Sequence, residues 1–200
     1  MRPAVIIVDM VKDNLDPKYP IAKEAELIIP NINKLLDAVR GYGVPVIFAC
    51  DSFLPEDFIF KGRLKPHSLR GTEGAMVTEK LHIRPGDHFL PKRRFSAFFK
   101  TDLDQTLRTW GVDTVAVGGI TTNVCVLMTV MDAICHDFKV VWLEDCCAAH
   151  KKEVHEATLE LYRNSALWPL LRVMTSQEFL AELKKEKGEE TPASSPLGTL

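Results

Sequence analysis

The sequence is short of several things, and each shortage removes a class of explanation. No apolar run among its 200 residues is long enough to span a bilayer, so no membrane-crossing helix is expected. Neither sign of charge dominates: 25 Lys and Arg stand against 27 Asp and Glu, a net charge of −2 with a pI near 6.3. That balance leaves no basic footprint for nucleic acid, and the cluster Lys92-Arg93-Arg94 is too short to supply one. The opening MRPAVIIVDM is interrupted by Asp9 and has no small-residue cleavage site after it, so it does not read as a secretory leader. Cysteines are few and odd in number: Cys50, Cys125, Cys135, Cys146 and Cys147. In a chain long enough to do without staples, this reads as reduced thiols and a cytoplasmic location, with adjacent Cys146 and Cys147 unbridged. The six histidines include no HExxH, and His150 and His155 stand five apart, off any shared helix face. Metal chemistry is reduced to Asp51 and His67, two ligands from separate segments.

What is present is a regular alternation. Hydrophobic residues make up 46% of the chain, enough for one domain with a sizeable core. Short β-rich apolar runs at 4–10, 44–51, 88–92, 112–120, 138–146 and 170–176 are separated by amphipathic stretches. The amphipathic stretches lie within 25–43 and at 102–110, 123–136, 152–164 and 176–188. The runs AVIIV and VDTVAV are almost continuously apolar, as strands covered on both faces must be. The pattern predicts an α/β fold: a single-domain three-layer α/β/α sandwich around a mostly parallel central sheet. Gly41, Gly43 and Gly111 follow helices, and Thr175 with Ser176 can cap the last one. The domain is expected to fill residues 1–183, with 184–200, poor in apolar residues and rich in Pro, Gly and Ser, as a flexible C-terminal tail. Residues 52–78 are too long for an ordinary βα connection and too rich in Phe for disorder, which suggests a pocket lid or a subunit contact.

In an open α/β sheet, ligands bind outside the carboxyl ends of the strands. Asp9, Asp51, Lys92 and Asp145 end four of the strands, and Cys125 comes just past another, in the first turn of a helix. Unpaired N–H groups and the macrodipole at a helix start favour a thiolate and can bind an oxyanion. Asp9 could take the thiol proton and return it to a leaving amine, with Lys92 holding Asp9 ionised. A free cysteine is otherwise a small hydrophobe. Cys135 fits an apolar stripe with Val124, Leu127, Met128 and Met131 and reads as core; Cys50, Cys146 and Cys147 read as packing, and Asp145 equally as a helix cap.

The motifs AVIIVDMVKDN, INKLLDAVRGYGVPVIFACDS, HSLRGTEGA, PKRRFSAFFKTDLDQTLR and GGITTNVCVLMTVMDA, in this order across residues 3–176, resemble the isochorismatase-like cysteine hydrolases. These include nicotinamidases, N-carbamoylsarcosine amidohydrolases and ureidoacrylate amidohydrolases. By motif position, the resemblance implies an Asp9-Lys92-Cys125 triad that cleaves the C–N bond of a small amide or carbamoyl compound through a Cys125 thioester, releasing ammonia or an amine. It implies a cis peptide between Ile120 and Thr121 and an oxyanion site at the N–H groups of Thr121 and Cys125. True isochorismatases lack the nucleophilic cysteine, so Cys125 points away from vinyl-ether cleavage. Nicotinamidases hold a metal through an Asp-x-His pair and a later His; Asp51 and His67 match two positions, but Phe53 stands in place of the first His. No cofactor is therefore required, and a divalent metal such as zinc would have only a degenerate site, with Glu56 or Asp57 as substitute ligands. Phe53, Phe95 and Phe98 are candidate pocket walls. The partners implied are a small-molecule amide and further copies of the chain, as a dimer or tetramer. Two other readings are a nicotinamidase with an altered metal site and a non-catalytic α/β binding domain.

Overall fold

A strand that is apolar on both sides is stable only with cover on both sides, and the computed structural model, which describes residues 1–189, supplies it. The strands are β1 (Pro3–Val8), β2 (Val46–Asp51), β3 (His88–Lys92), β4 (Thr114–Ile120), β5 (Lys139–Ala148) and β6 (Leu171–Met174). The helices are α1 (Ala22–Gly41), α2 (Leu103–Thr109), α3 (Leu127–Cys135), α4 (Lys152–Arg163) and α5 (Ser176–Glu189). All strand pairings are parallel, in the order β3-β2-β1-β4-β5-β6.

Alternation along the strands divides the core in two. On one face, Val5, Ile7 and Phe48 meet Ile32, Leu35 and Leu36 of α1 and Phe179 of α5. On the other, Ile6, Val8 and Trp142 meet Leu107 of α2, Val130 of α3 and Leu159 of α4. Helix α1 buries Ala25, Ile28, Ile29, Ile32, Leu35, Leu36 and Val39, the spacing of one helical face. Among the described residues, no helix is long and apolar enough to cross a membrane.

The strand order reverses between β1 and β4. The chain leaves β1 toward the α1 face and leaves β4 toward the α3 face, so the two exits diverge and leave a crevice above the strand ends. The backbones come very close there. Gly119, at φ +114°, lies against Val8, and a Cβ on it would collide with the Val8 carbonyl oxygen and amide nitrogen.

Several expectations are corrected. The helix after β4 does not start as an α-helix: Thr122–Val126 is a single π turn that runs into α3. Its buried side is Thr122, Cys125, Val126, Thr129, Val130 and Ala133, so Met128 and Cys135 are exposed, while Val124, Leu127 and Met131 pack at the edge of the core. Asp145 lies within β5 and turns away from the crevice. Its carboxylate accepts hydrogen bonds from the Ser176 amide (2.6 Å) and hydroxyl (2.7 Å) at the start of α5. Thr175 and Glu178 close a reciprocal capping box there, at 2.8 and 3.2 Å. Helix α5 runs from Ser176 through Glu189, and the rest of the expected tail, 190–200, lies outside the described residues.

Gly119→Ala is expected to destabilise the protein by about 3 kcal/mol or more, from backbone overlap added to an unfavourable φ. Denaturant unfolding measures it; a loss below about 1 kcal/mol would show that β1 and β4 can separate at their ends.

Candidate active site

Three neighbouring strands deliver three charged side chains to one point. Asp51 and Lys92 are register partners at the ends of β2 and β3. Asp9 follows β1, held by its amide on the Ala49 carbonyl (2.8 Å) and by Asn14 Nδ2 on its own carbonyl (2.9 Å). These bonds fix Asp9 at φ +55°, a conformation rare for a residue with a side chain. Its Oδ1 accepts the Asp51 amide at 2.8 Å, and its Oδ2 accepts the Lys92 ammonium at 2.7 Å. Lys92 Nζ also donates to Asp51 Oδ1 (2.6 Å) and to the Arg94 carbonyl (3.2 Å), so all three of its protons are used.

The cluster is buried: the Lys92 side chain is 0% exposed, with Asp9 at 2% and Asp51 at 5%. Two carboxylates share one ammonium, leaving an excess negative charge away from water. Burial, and then repulsion from Asp51, raise Asp9 to about 7 against the pull of Lys92. Burial alone would lower Lys92, but Asp51 and Asp9 outweigh it and keep the ammonium charged well into alkaline pH.

Cys125 enters from the other side of the crevice. Its Sγ, a carboxylate oxygen of Asp9 and one of Asp51 lie within 4.8 Å of one another. Burial pushes the thiol well above its ordinary value, with Lys92 opposing and Asp9 reinforcing the rise. The helix-start environment therefore does not by itself yield a resting thiolate. The turn that carries Cys125 is held from behind, because the Thr129 hydroxyl donates to the Cys125 carbonyl (2.8 Å) and accepts the Ala97 amide (3.0 Å). The peptide between Ile120 and Thr121 is cis.

A cavity of about 460 Å³ opens over these groups, within the range of small-molecule sites. Asp9, Asp51, Thr121 and Cys125 line it, and Phe53 and Phe95 form part of its wall. Phe98 does not: it packs in the core, stacked on His136 at 5.1 Å and against Phe138 at 5.9 Å between ring centroids. The long segment 52–78 roofs the cavity with Arg63, Leu64, Lys65 and His67. It is tied down by Phe53 N to the Ser68 carbonyl (3.1 Å), Arg70 N to the Phe53 carbonyl (2.8 Å) and Ser68 N to Asp13 Oδ2 (2.7 Å). Tyr19, Asn14 and His150 also line the cavity, unforeseen because nothing local to them says that the chain folds back over the crevice. A larger hollow of about 820 Å³ beside β3 is lined by Cys50, Asp51, Met76 and Phe89 but by neither Asp9 nor Cys125. The reactive groups mark the smaller one.

Around Asp51 and His67 most of the possible donors have other partners. Asp51 is engaged by Lys92, whose ammonium already bridges the two buried carboxylates. The Phe53 ring lies edge-on to His67 at 5.5 Å between centroids, and His67 Nδ1 is bonded to the Lys65 carbonyl at 2.8 Å. Glu56 is exposed and lines no part of the cavity, and Asp57 is taken by Arg93 and Arg94.

Fold and centre together define a doubly covered parallel-sheet protein with a buried thiol, carboxylate pair and ammonium at its topological switch point. An isochorismatase domain matches residues 3–178, and the chain belongs to that family. It is 29% identical over 193 residues to the uncharacterized isochorismatase family protein YwoC of Bacillus subtilis, spanning 92% of this chain and 95% of that protein. Among solved structures, an isochorismatase-like hydrolase from Alkaliphilus metalliredigens superposes with a TM-score of 0.82 at 31% identity, covering 91% of this chain and 99% of that one. N-carbamoylsarcosine amidase from Thermoplasma acidophilum does so with a TM-score of 0.77 at 29% identity, covering 88% and 97%.

Lys92→Met is expected to cost about 3–5 kcal/mol at pH 8, because it leaves two buried carboxylates unpaired. Lys92 is the group that lowers Asp9, so its loss raises the folded-state pKa of Asp9 further, and the deficit against wild type should shrink as pH falls toward 5 and protonation removes that charge. Urea unfolding at the two pH values measures it, and a deficit that grows toward pH 5 would contradict this assignment of the charges.

Proposed function

We propose that this protein hydrolyses the C–N bond of a small amide or carbamoyl compound through a thioester on Cys125. The observation that carries the reading is the convergence of Asp9 and Cys125 on the floor of one cavity, with Lys92 bonded to Asp9 from behind it. Family membership and likeness to an N-carbamoylsarcosine amidase support it.

The thiol is protonated at rest and needs a base. Asp9, poised near neutrality, takes the proton as the sulfur attacks the carbonyl carbon. Lys92 stabilises the charge as it moves from carboxylate to sulfur. The N–H groups of Thr121 and Cys125 receive the oxyanion. As the C–N bond breaks, Asp9 returns the proton to the leaving nitrogen, and ammonia or an amine departs. Water then attacks the thioester, gives a proton to Asp9, and releases the acid with the thiol restored. No step calls for a metal, and the donor set around Asp51 and His67 supports a metal-independent reaction.

Ammonia release from an amide panel is expected to be lost in Cys125→Ala, with an acyl adduct on Cys125 in trapped wild-type protein by mass spectrometry. Activity that persists in the variant would refute the nucleophile. Turnover should be unchanged in excess chelator; loss on chelation, restored by a divalent metal, would instead favour a nicotinamidase with an altered metal site.

Asp9 must be ionised to accept the proton, so kcat/KM is expected to rise with pH through about 7. Asp9→Asn should lose at least about 100-fold and abolish that limb. A pH profile unchanged in the variant would remove Asp9 as the base.

A further inference from the structure

The charges lining the cavity are unevenly divided. The floor holds Asp9 and Asp51, both bonded to Lys92. Among the described residues, no other acidic side chain lines the cavity. At its solvent side stand Arg63 and Lys65, both exposed, and neither forms an ion pair among the described residues. Asp57, the buried acid of the same segment that might have neutralised them, is committed to Arg93 and Arg94 instead. The backbone bonds joining Phe53 to Ser68 and Arg70 hold this stretch of the roof over the opening. Between floor and mouth the wall is mostly apolar, with Phe53, Phe95 and Val124 beside Tyr19, Asn14, His67 and His150. The cavity thus offers a reactive thiol at one end, a hydrocarbon-compatible middle and two uncommitted cations at the other.

From this gradient we infer that the substrate is an anionic amide: a short compound whose amide or carbamoyl carbonyl sits on Cys125 and whose carboxylate reaches Arg63 and Lys65. This rests on the hydrolase reading above. A guanidinium presents paired donors that match a carboxylate, and an ammonium beside it adds a point charge. Together they should favour the anion by about tenfold or more over a neutral analogue. Both cations face water, so the preference should weaken as salt screens them.

Binding and turnover separate this inference from the one beneath it. Maleamate, succinamate and N-carbamoylglycine, each paired with its methyl ester, are titrated calorimetrically into the Cys125→Ala protein. At least one acid is expected to bind at least about tenfold more tightly than its ester, less so in high salt. The double variant Arg63→Gln, Lys65→Gln should bring acid and ester within about twofold, since only the charges that distinguish them are removed. If no acid binds, if acids and esters bind alike, or if the double variant keeps the preference, the inference fails. Ammonia release by wild-type protein is then measured for the same pairs and for nicotinamide. Hydrolysis through Cys125 of neutral amides as fast as acids leaves the hydrolase standing and overturns the anionic substrate. Acids bound with preference but never hydrolysed uphold the anion site and overturn the hydrolase.

Discussion

The ammonium of Lys92, enclosed between the carboxylates of Asp9 and Asp51, is the interaction on which the rest of the centre depends. It joins the ends of β1, β2 and β3, and without it two like charges would face each other out of water. Burying three charges is costly, and a well-packed apolar trio would hold the strands at least as well. What the ions add is proton affinity. Burial, reinforced by a second anion that shares the one cation, brings Asp9 to about 7. Structure and reactivity therefore come from the same cluster.

The thiol is placed by a different device. The chain exits β4 opposite to its exit from β1, and the π turn at Thr122–Val126 brings Cys125 back over the gap. Thr129 couples that turn to the strand-exit segment after Lys92 through the Ala97 amide. Cys125 and the ammonium thus share a brace although 32 residues separate Thr129 from Ala97 along the chain.

Much of this was readable in the sequence. Strands apolar on both faces, helices with one apolar stripe and polar residues at strand ends follow from local periodicity, and they located Asp9, Lys92 and Cys125. Resemblance to a known family then assigned roles to them. What periodicity could not read was anything that depends on partners far apart in the chain. Asp51 was visible as a strand-end acid, but its hold on Lys92 depends on the β2–β3 register. Helix α3 carries two stripes that look alike in sequence, and the one with Met128 and Cys135 is only partly buried. The other could be buried despite Thr129 because its hydroxyl bonds to the turn behind it. Phe95 and Phe98 are three residues apart in an irregular segment, where no period says which ring meets the cavity and which meets Phe138. Arg63 and Lys65 lie in a long segment whose path is set by bonds at its two ends.

Lys92 belongs to β3, and β3 is the outermost strand of the sheet, paired with β2 alone. An edge strand of five residues is among the first parts of a sheet to fray, and Pro91 removes one of its amide donors. The side-chain ion cluster at its end therefore acts as a rivet on a margin that backbone pairing holds from one side. Local opening there would withdraw the ammonium while the interior strands β1 and β4 kept Asp9 and Cys125 in place. The ion cluster can then come apart through a motion far smaller than unfolding.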